Sequence, residues 1–202
     1  GQPVVAHTWQ RLDAAACIDE IVLVVRSGME EAFRDLARFV RPQKPFVLVV
    51  GGKERQDSVW NGLQALSAET EIVAIQDAAR PCTSAALVAA TVEAARQFGA
   101  AVAAQRITDT VKETDDGQFI SRQLDRSRLW SVQTPQTFRV SVIKQALLAV
   151  RQQGLMVTDD TAACELIGQP VRLVESEEPN PKVTVPADLP LIAALLARQE
   201  TQ

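Results

Sequence analysis

The chain is short of reactive side chains. Its 202 residues contain one histidine, His7, and three cysteines. One histidine, with no Gly-x-Ser-x-Gly run beside it, leaves no material for a Ser-His-Asp triad, and His7, just before Trp9, reads as a surface or core residue of a helix. Cys17, Cys82 and Cys164 are odd in number, widely spaced and without a Cys-x-x-Cys pair. That argues against a disulfide framework or a zinc site and fits a reducing, cytoplasmic setting. No apolar run approaches the ~20 residues a helix needs to span a bilayer, and no signal peptide is visible. Positive charge is not in excess either. With 21 Lys and Arg against 25 Asp and Glu the net charge is −4, so no nucleic-acid partner is expected. Local basic clusters can still take a small anionic substrate. Internal repeats and low-complexity linkers are absent.

What is present is a regular alternation of apolar runs and helical periodicity, with 47% hydrophobic residues, enough for one domain over residues 1–202. Ile21–Val25 is a β-branched strand followed by a helix around Met29–Phe39. Phe46–Val50 is the next strand and runs into Gly51-Gly52, after which Asp57 suits the N-cap of a helix through Ala68. Ile72–Ile75 is a strand. Thr83 or Ser84 caps an alanine-rich helix that stops at Gly99, and Ala100–Ala104 is another buried strand. Strands alternating with helices predict an α/β fold of Rossmann-like type, a mostly parallel sheet flanked by helices. Val140–Gln153 is a helix ended by Gly154. Thr158 or Asp159 caps a short helix ending at Gly168, Val171–Val174 is a strand, and Pro186 opens a last helix to about Arg198.

Two segments depart from this rhythm. Val4–Ala16 reads as a helix with no strand before it, whereas nucleotide-binding α/β folds usually open with a strand and a glycine-rich phosphate loop. Either that loop lies outside this sequence or the protein has none. The second departure is 106–128. Thr110–Thr114 alternates, Asp115-Asp116-Gly117 supplies a turn, and Phe119–Leu124 follows, which is a β-hairpin signal. The segment is too polar for a parallel core and is expected to leave the domain as an arm. A two-stranded arm is marginal alone, so packing on a second subunit, in a homodimer, is the simplest support.

The strand Ile72–Ile75 ends in Gln76-Asp77-Ala78-Ala79-Arg80-Pro81. Ligands of open α/β sheets bind outside the carboxyl ends of the strands, which puts Asp77 where a metal or ribose is held and Arg80 one turn away from it, in reach of a phosphate. The same spacing also fits a simple surface ion pair. Gly51-Gly52 with Ser58 joins a strand end to a helix start, where glycine admits close approach of a ligand and amides offer donors; a tight turn accounts for it equally. Thr134–Thr137 and Pro179–Thr184 read as loops with potential phosphate donors, and Arg126 and Arg128 near the arm as solvated charge.

Together the runs GGKERQDSV (51–59), DAARP (77–81), DTVK (109–112), LDR and LW (124–126 and 129–130), TPQTF (134–138), TDD (158–160) and NPKVTVPADL (180–189) resemble the 2-C-methyl-D-erythritol 4-phosphate cytidylyltransferase family, in its order and over essentially the whole chain. Relatives that use ribitol 5-phosphate usually carry Ser-Val where this chain has Ala78-Ala79, so the pattern favours methylerythritol phosphate. The resemblance implies transfer of a cytidylyl group from CTP to that polyol phosphate, with Mg²⁺ as cofactor. It assigns Gly51, Gly52 and Ser58 to the nucleotide, and Asp77 to Mg²⁺ and to ligand hydroxyls. Ala78, Arg80, Thr134 and Thr158 are assigned to the substrate. Lys182 is assigned to substrate and transition-state charge, so that Lys182 and Asp77 are the catalytic pair. Thr110 and Arg126, on the arm, are implied to reach the substrate phosphate of the neighbouring subunit. The family's glycine-rich N-terminal segment is not in the sequence, and an acid expected shortly before Asn180 is replaced by Pro179, with Glu177 and Glu178 just upstream. A dimer that binds nucleotide or sugar phosphate without turnover is the non-enzymatic alternative.

Overall fold

The computed structural model describes residues 1–199. Helix α1 (Val4–Ala14) leads to strand β1 (Ile21–Val25), helix α2 (Glu30–Val40) and strand β2 (Phe46–Val50), and β1 and β2 pair in parallel. Helix α3 (Arg55–Gln64) and strand β3 (Ile72–Ile75) follow, then α4 (Ala85–Phe98) and β4 (Ala100–Arg106). After the short strands β5 (Lys112–Glu113) and β6 (Arg122–Gln123) come β7 (Trp130–Arg139), α5 (Val140–Gln152), α6 (Asp160–Leu166), β8 (Arg172–Glu175) and α7 (Leu189–Gln199).

A four-stranded sheet in the order β3-β7-β4-β8 forms the centre. The expected α/β class with flanking helices holds, but the pairing in this sheet is mixed. β7 runs antiparallel to both β3 and β4, and only β4 and β8 pair in parallel. The reason is that 130–139, read from sequence as a loop over Thr134–Thr137, is the longest strand of the described residues. Pro135 masks it, since a residue without an N–H demotes a strand pattern. The fold accommodates Pro135 in a register shift, where Val102 faces Gln136 but Ala104 faces Val132. A bulge needs no ladder donor at the extra residue, and the β3 pairing stops at Gln136, one residue short of the proline.

Side chains of β3 alternate between two apolar layers, as a pleated strand requires. Val73 and Ile75 pack with Phe138, Leu63, Ile143, Leu147 and Val150, while Ile72 packs with Ala15, Val88 and Val92 on the other face. In α5 the buried residues Ile143, Ala146, Leu147 and Val150 recur at helical spacing. Full burial of each branched side chain is worth about 1.5–3 kcal/mol. Five consecutive residues of β4, from Ala100 to Ala104, are buried because helices or neighbouring strands cover both faces.

Local signals mostly landed within a residue or two. Ser84, not Thr83, caps α4 by accepting from the Leu87 amide, and Gly99 ends it at φ 87°. Asp159 caps α6 by accepting from the Ala162 amide. Asp57 is not the N-cap of α3. Glu54 is, and Asp57 sits three residues into the capping box, so the helix starts earlier than expected and ends at Gln64 rather than Ala68.

An elongated cleft of about 780 Å³ lies between β1 and β3. The bases of the two strands are tied by Glu20, whose carboxylate accepts from the Ser67 amide at 3.0 Å and the Thr70 hydroxyl at 2.8 Å. The carboxyl-terminal end of the cleft is lined by Arg55, Ser58, Gln76, Asp77 and Ala78.

Candidate active site

At the end of β3 the chain turns sharply, the Arg80 amide donating to the Asp77 carbonyl at 3.1 Å. This places the Asp77 carboxylate at the cleft mouth, with 21% of its side chain exposed. Lys182, from the loop between β8 and α7, brings its ammonium nitrogen to 2.9 Å from Asp77 Oδ2. Arg80 Nε lies 3.7 Å from the same oxygen. Residues separated by half the chain thus meet at one carboxylate.

Thr134 holds the loop from the β7 side, its hydroxyl accepting from the Asp77 amide at 3.0 Å. Thr134 is buried inside the sheet rather than exposed in a loop. Its carbonyl accepts from Asn180 Nδ2 at 2.9 Å. Arg80 is largely buried as well: it donates to the Asn180 carbonyl at 2.6 Å, and its Nε has no hydrogen-bond partner. Burial pulls its pKa down, against the opposing pull of the Asp77 charge. The Ala78 carbonyl accepts from the Thr8 hydroxyl at 2.7 Å, which ties α1 to the same loop.

Stability does not explain the Lys182–Asp77 pair. Lys182 leaves 44% of its side chain in solvent, and exposed pairs contribute about 0–1 kcal/mol. A cation kept in place for so small a return is available to a negatively charged ligand.

On the other side of the mouth, the diglycine is required by contact. A Cβ on Gly52 would lie 2.3 Å from Asp57 Cβ, and one on Gly51 2.8 Å from Ser58 Oγ. The Ser58 hydroxyl accepts from the Gly52 amide at 3.0 Å and donates to the Glu54 carbonyl at 3.2 Å, so it locks the turn. Arg55 was missed in the sequence, although it stands inside the GGKERQDSV run. It donates to Asp160 Oδ2 at 2.6 Å, and Asp160 is fully buried with Oδ1 unpartnered. Burial pushes the Asp160 carboxyl upward, with the bond to Arg55 opposing. Burial opposes the Arg55 charge too, but the bond to Asp160 and its charge outweigh that and raise the guanidinium, which also feels Asp77. Gln136 completes this side, accepting from the Asp160 amide at 3.0 Å and donating to Asp159 at 3.0 Å.

Not every expected residue joins this cluster. Thr158 is exposed just before α6. Thr110 and Arg126 meet at a separate hollow of about 360 Å³ on the arm, lined also by Gln123, Leu124 and Asp125, and Arg126 donates to the Thr108 carbonyl. Glu178, just before Asn180 in sequence, accepts from Gln199 through Oε2 at 2.8 Å.

The described residues form no group of three or more His, Cys, Asp or Glu side chains arranged to hold a metal ion. Asp77 offers one carboxylate at the mouth, while Asp159 caps a helix and Asp160 serves Arg55. That donor set suits a hard cation held by one carboxylate and completed by ligand phosphates, the usual manner of Mg²⁺, and not an all-protein cage. Cations around one acid, with no histidine and no activated hydroxyl, suit transfer between phosphate groups.

The model of 2-C-methyl-D-erythritol 4-phosphate cytidylyltransferase matches residues 1–198. The chain belongs to this family. A curated relative of that name from Geobacillus kaustophilus (strain HTA426) is 44% identical over 197 residues, covering 98% of this chain and 86% of the relative. Another, from Pelotomaculum thermopropionicum, is 42% identical over 201 residues, covering 98% and 84%. Among solved structures, 4-diphosphocytidyl-2C-methyl-D-erythritol synthase from Anaerococcus prevotii superposes with a TM-score of 0.89 at 30% identity, over 98% of this chain and 87% of that one. The 2-C-methyl-D-erythritol 4-phosphate cytidylyltransferase of Thermus thermophilus gives 0.81 at 34% identity, over 98% and 90%. These two structures share the α/β scaffold that carries the Asp77–Lys182 pair here. No helix among the described residues is long and apolar enough to cross a membrane.

Proposed function

We propose that the protein catalyses CTP-dependent cytidylyl transfer to 2-C-methyl-D-erythritol 4-phosphate, releasing pyrophosphate. The observation that carries this reading is the Lys182 ammonium 2.9 Å from the Asp77 carboxylate at the carboxyl end of β3. A phosphate oxygen of the polyol phosphate attacks the α-phosphorus of CTP. The new O–P bond forms as the bond from the α-phosphorus to the bridging oxygen breaks, and pyrophosphate carries away the electron pair. The substrate phosphate is itself the nucleophile, so the enzyme's contribution is orientation and neutralisation of charge. Lys182 supplies the cation nearest the acid and Arg80 fixes the loop behind it. In this reading Gly51, Gly52, Ser58 and Asp77 serve the nucleotide and Ala78 the polyol phosphate, Thr134 acting from beneath the Asp77 loop and Thr158 from outside the cluster. Asp77 is the residue that would hold Mg²⁺ together with ligand phosphates, and the ion would supply further charge neutralisation. The Ala78-Ala79 pair favours methylerythritol phosphate over ribitol 5-phosphate.

In the same reading the arm serves a second copy of the chain. The support is its exposed apolar tip, Phe119 at 75% and Ile120 at 67% exposure, on the same arm as the Thr110 and Arg126 hollow. Arg126 would then hold the phosphate bound to the neighbouring subunit.

The test is pyrophosphate release from CTP and Mg²⁺ with each polyol phosphate, the nucleotide product being weighed by mass spectrometry. Product with methylerythritol phosphate and little with ribitol phosphate is expected. Product with ribitol phosphate alone overturns the substrate, and none with either overturns the transferase.

A further inference from the structure

Lys182 has a long, half-exposed side chain, and such a chain holds one position only if its backbone is fixed. Two bonds fix it, one on each side. The Val183 amide donates to the Ala79 carbonyl at 2.8 Å, and the Asn180 carbonyl accepts from Arg80 at 2.6 Å. Between Asn180 and Lys182 stands Pro181, whose ring fixes its own φ and restricts the residue before it to extended backbone. The link is therefore stiff, and whatever orients Asn180 orients Lys182.

Asn180 is 2% exposed, and each polar atom of its side chain is bonded. Oδ1 accepts from the Thr83 hydroxyl at 2.9 Å, while Nδ2 donates to Gln133 Oε1 at 3.1 Å and to the Thr134 carbonyl at 2.9 Å. Thr134 in turn accepts from the Asp77 amide. The path from Asp77 through Thr134, Asn180 and Lys182 returns to Asp77, so both partners of the ion pair hang from one buried amide.

We propose that Asn180 is a positioning residue that sets Lys182 against Asp77 and acts on catalysis chiefly through that lysine. The proposal rests on the cytidylyl-transfer reading for its kinetic effect but not for its geometry. An aspartate at 180 keeps the shape but puts one acceptor oxygen where Nδ2 donates twice, against Gln133 Oε1 and a backbone carbonyl that cannot rotate. Thr83→Val removes the donor to Oδ1, and with it the Thr83 bonds to the Arg80 carbonyl and from Gln76 Nε2, while leaving the Asn180 side chain itself intact.

Asn180→Ala and Asn180→Asp are expected to lower kcat about 10- to 100-fold, the scale of misplacing a catalytic group, with KM for CTP within about 3-fold. In a Lys182→Ala background the same changes should alter kcat by less than about 2-fold, because coupled residues are not additive. Equal losses in both backgrounds, or an unchanged kcat in a folded variant, would overturn the role. A readout free of turnover is acylation of lysines by an amine-selective ester, mapped by mass spectrometry. Lys182 should be acylated several-fold faster relative to Lys53 in the Asn180 variants, and to a smaller extent in Thr83→Val, which keeps both Nδ2 bonds. An unchanged Lys182 rate in whichever of these variants folds sinks the proposal. An inactive parent with the expected acylation pattern would sink the transferase reading alone.

Discussion

Lys182 and Asp160 carry opposite lessons about charge. Lys182 is half in water, so its pair with Asp77 is worth little to the fold. Replacement by alanine should leave the melting temperature within about 2 °C, and lower kcat by roughly 10²–10³, the loss typical of one oxyanion-stabilising donor. Thermal scanning beside pyrophosphate assays checks both halves. Asp160 is buried, and its carboxyl is pushed above the ordinary range by desolvation. A carboxyl with a raised folded pKa takes its proton more readily in the native state, so acidification through that pKa favours folding until the unfolded value of about 3.9 is reached. The native protein should therefore gain stability relative to Asp160→Asn as pH falls from 7 toward 4.5. Urea midpoints at the two pH values give the comparison, and an opposite trend would contradict the placement. The thiols make a simpler case. Burial pushes Cys164 up to about 12 and raises Cys82 as well, whereas Cys17 is only partly covered. Iodoacetamide at pH 8 should add once to the native chain, at Cys17, and three times after denaturation.

Among the elements, β7 and α3 show where local signals suffice and where they fail. The strands β1, β2 and β3 were legible because β-branched runs bounded by turn residues have no competing reading. The Asp77-to-Arg80 turn was legible for the same reason. β7 was not, because Pro135 interrupts it and its polar residues Gln133, Thr134, Gln136 and Thr137 are buried. Their partners are supplied by Asn180, Asp159, Asp160 and Thr91, at distances in sequence that no local pattern reaches. Asn180 and Asp160 were visible only as letters inside motifs, NPK and TDD. The turn from β2 into α3 allows a direct test. Alanine at position 52 must displace Asp57 and the capping box, since its Cβ would lie 2.3 Å from Asp57 Cβ. A loss of about 1–3 kcal/mol is expected, with weaker CTP binding by calorimetry. A Gly52→Ala protein of native stability would show that the turn can yield.

At the scale of the whole molecule, the proposed role of the arm in joining two copies of the chain can be tested directly. The turn of the arm is well made. The Asp116 carboxylate accepts from the Gln118 and Phe119 amides, and Gly117 adopts φ 73°. Ion pairing of Arg122 with Glu113 closes the ladder. A two-residue ladder has little strength of its own, so the exposed Phe119 and Ile120 should matter to assembly. Phe119→Ser with Ile120→Ser should shift sedimentation from dimer to monomer and weaken affinity for the polyol phosphate while CTP still binds. Mixing an Arg126→Ala chain with an Asp77→Ala chain should restore part of the activity in verified hybrids, and no recovery would count against shared sites.

The buried amide of Asn180 also governs when the enzyme can first work. Its ties and those beside it join positions 57, 46 and 100 residues apart. Contacts of such span form late, after most loop entropy has been lost. A nascent chain that has already built α1–α4 and β1–β4 still lacks the lysine that faces Asp77. In refolding, ellipticity should return before turnover does, and recovered activity would time the docking of the final segment.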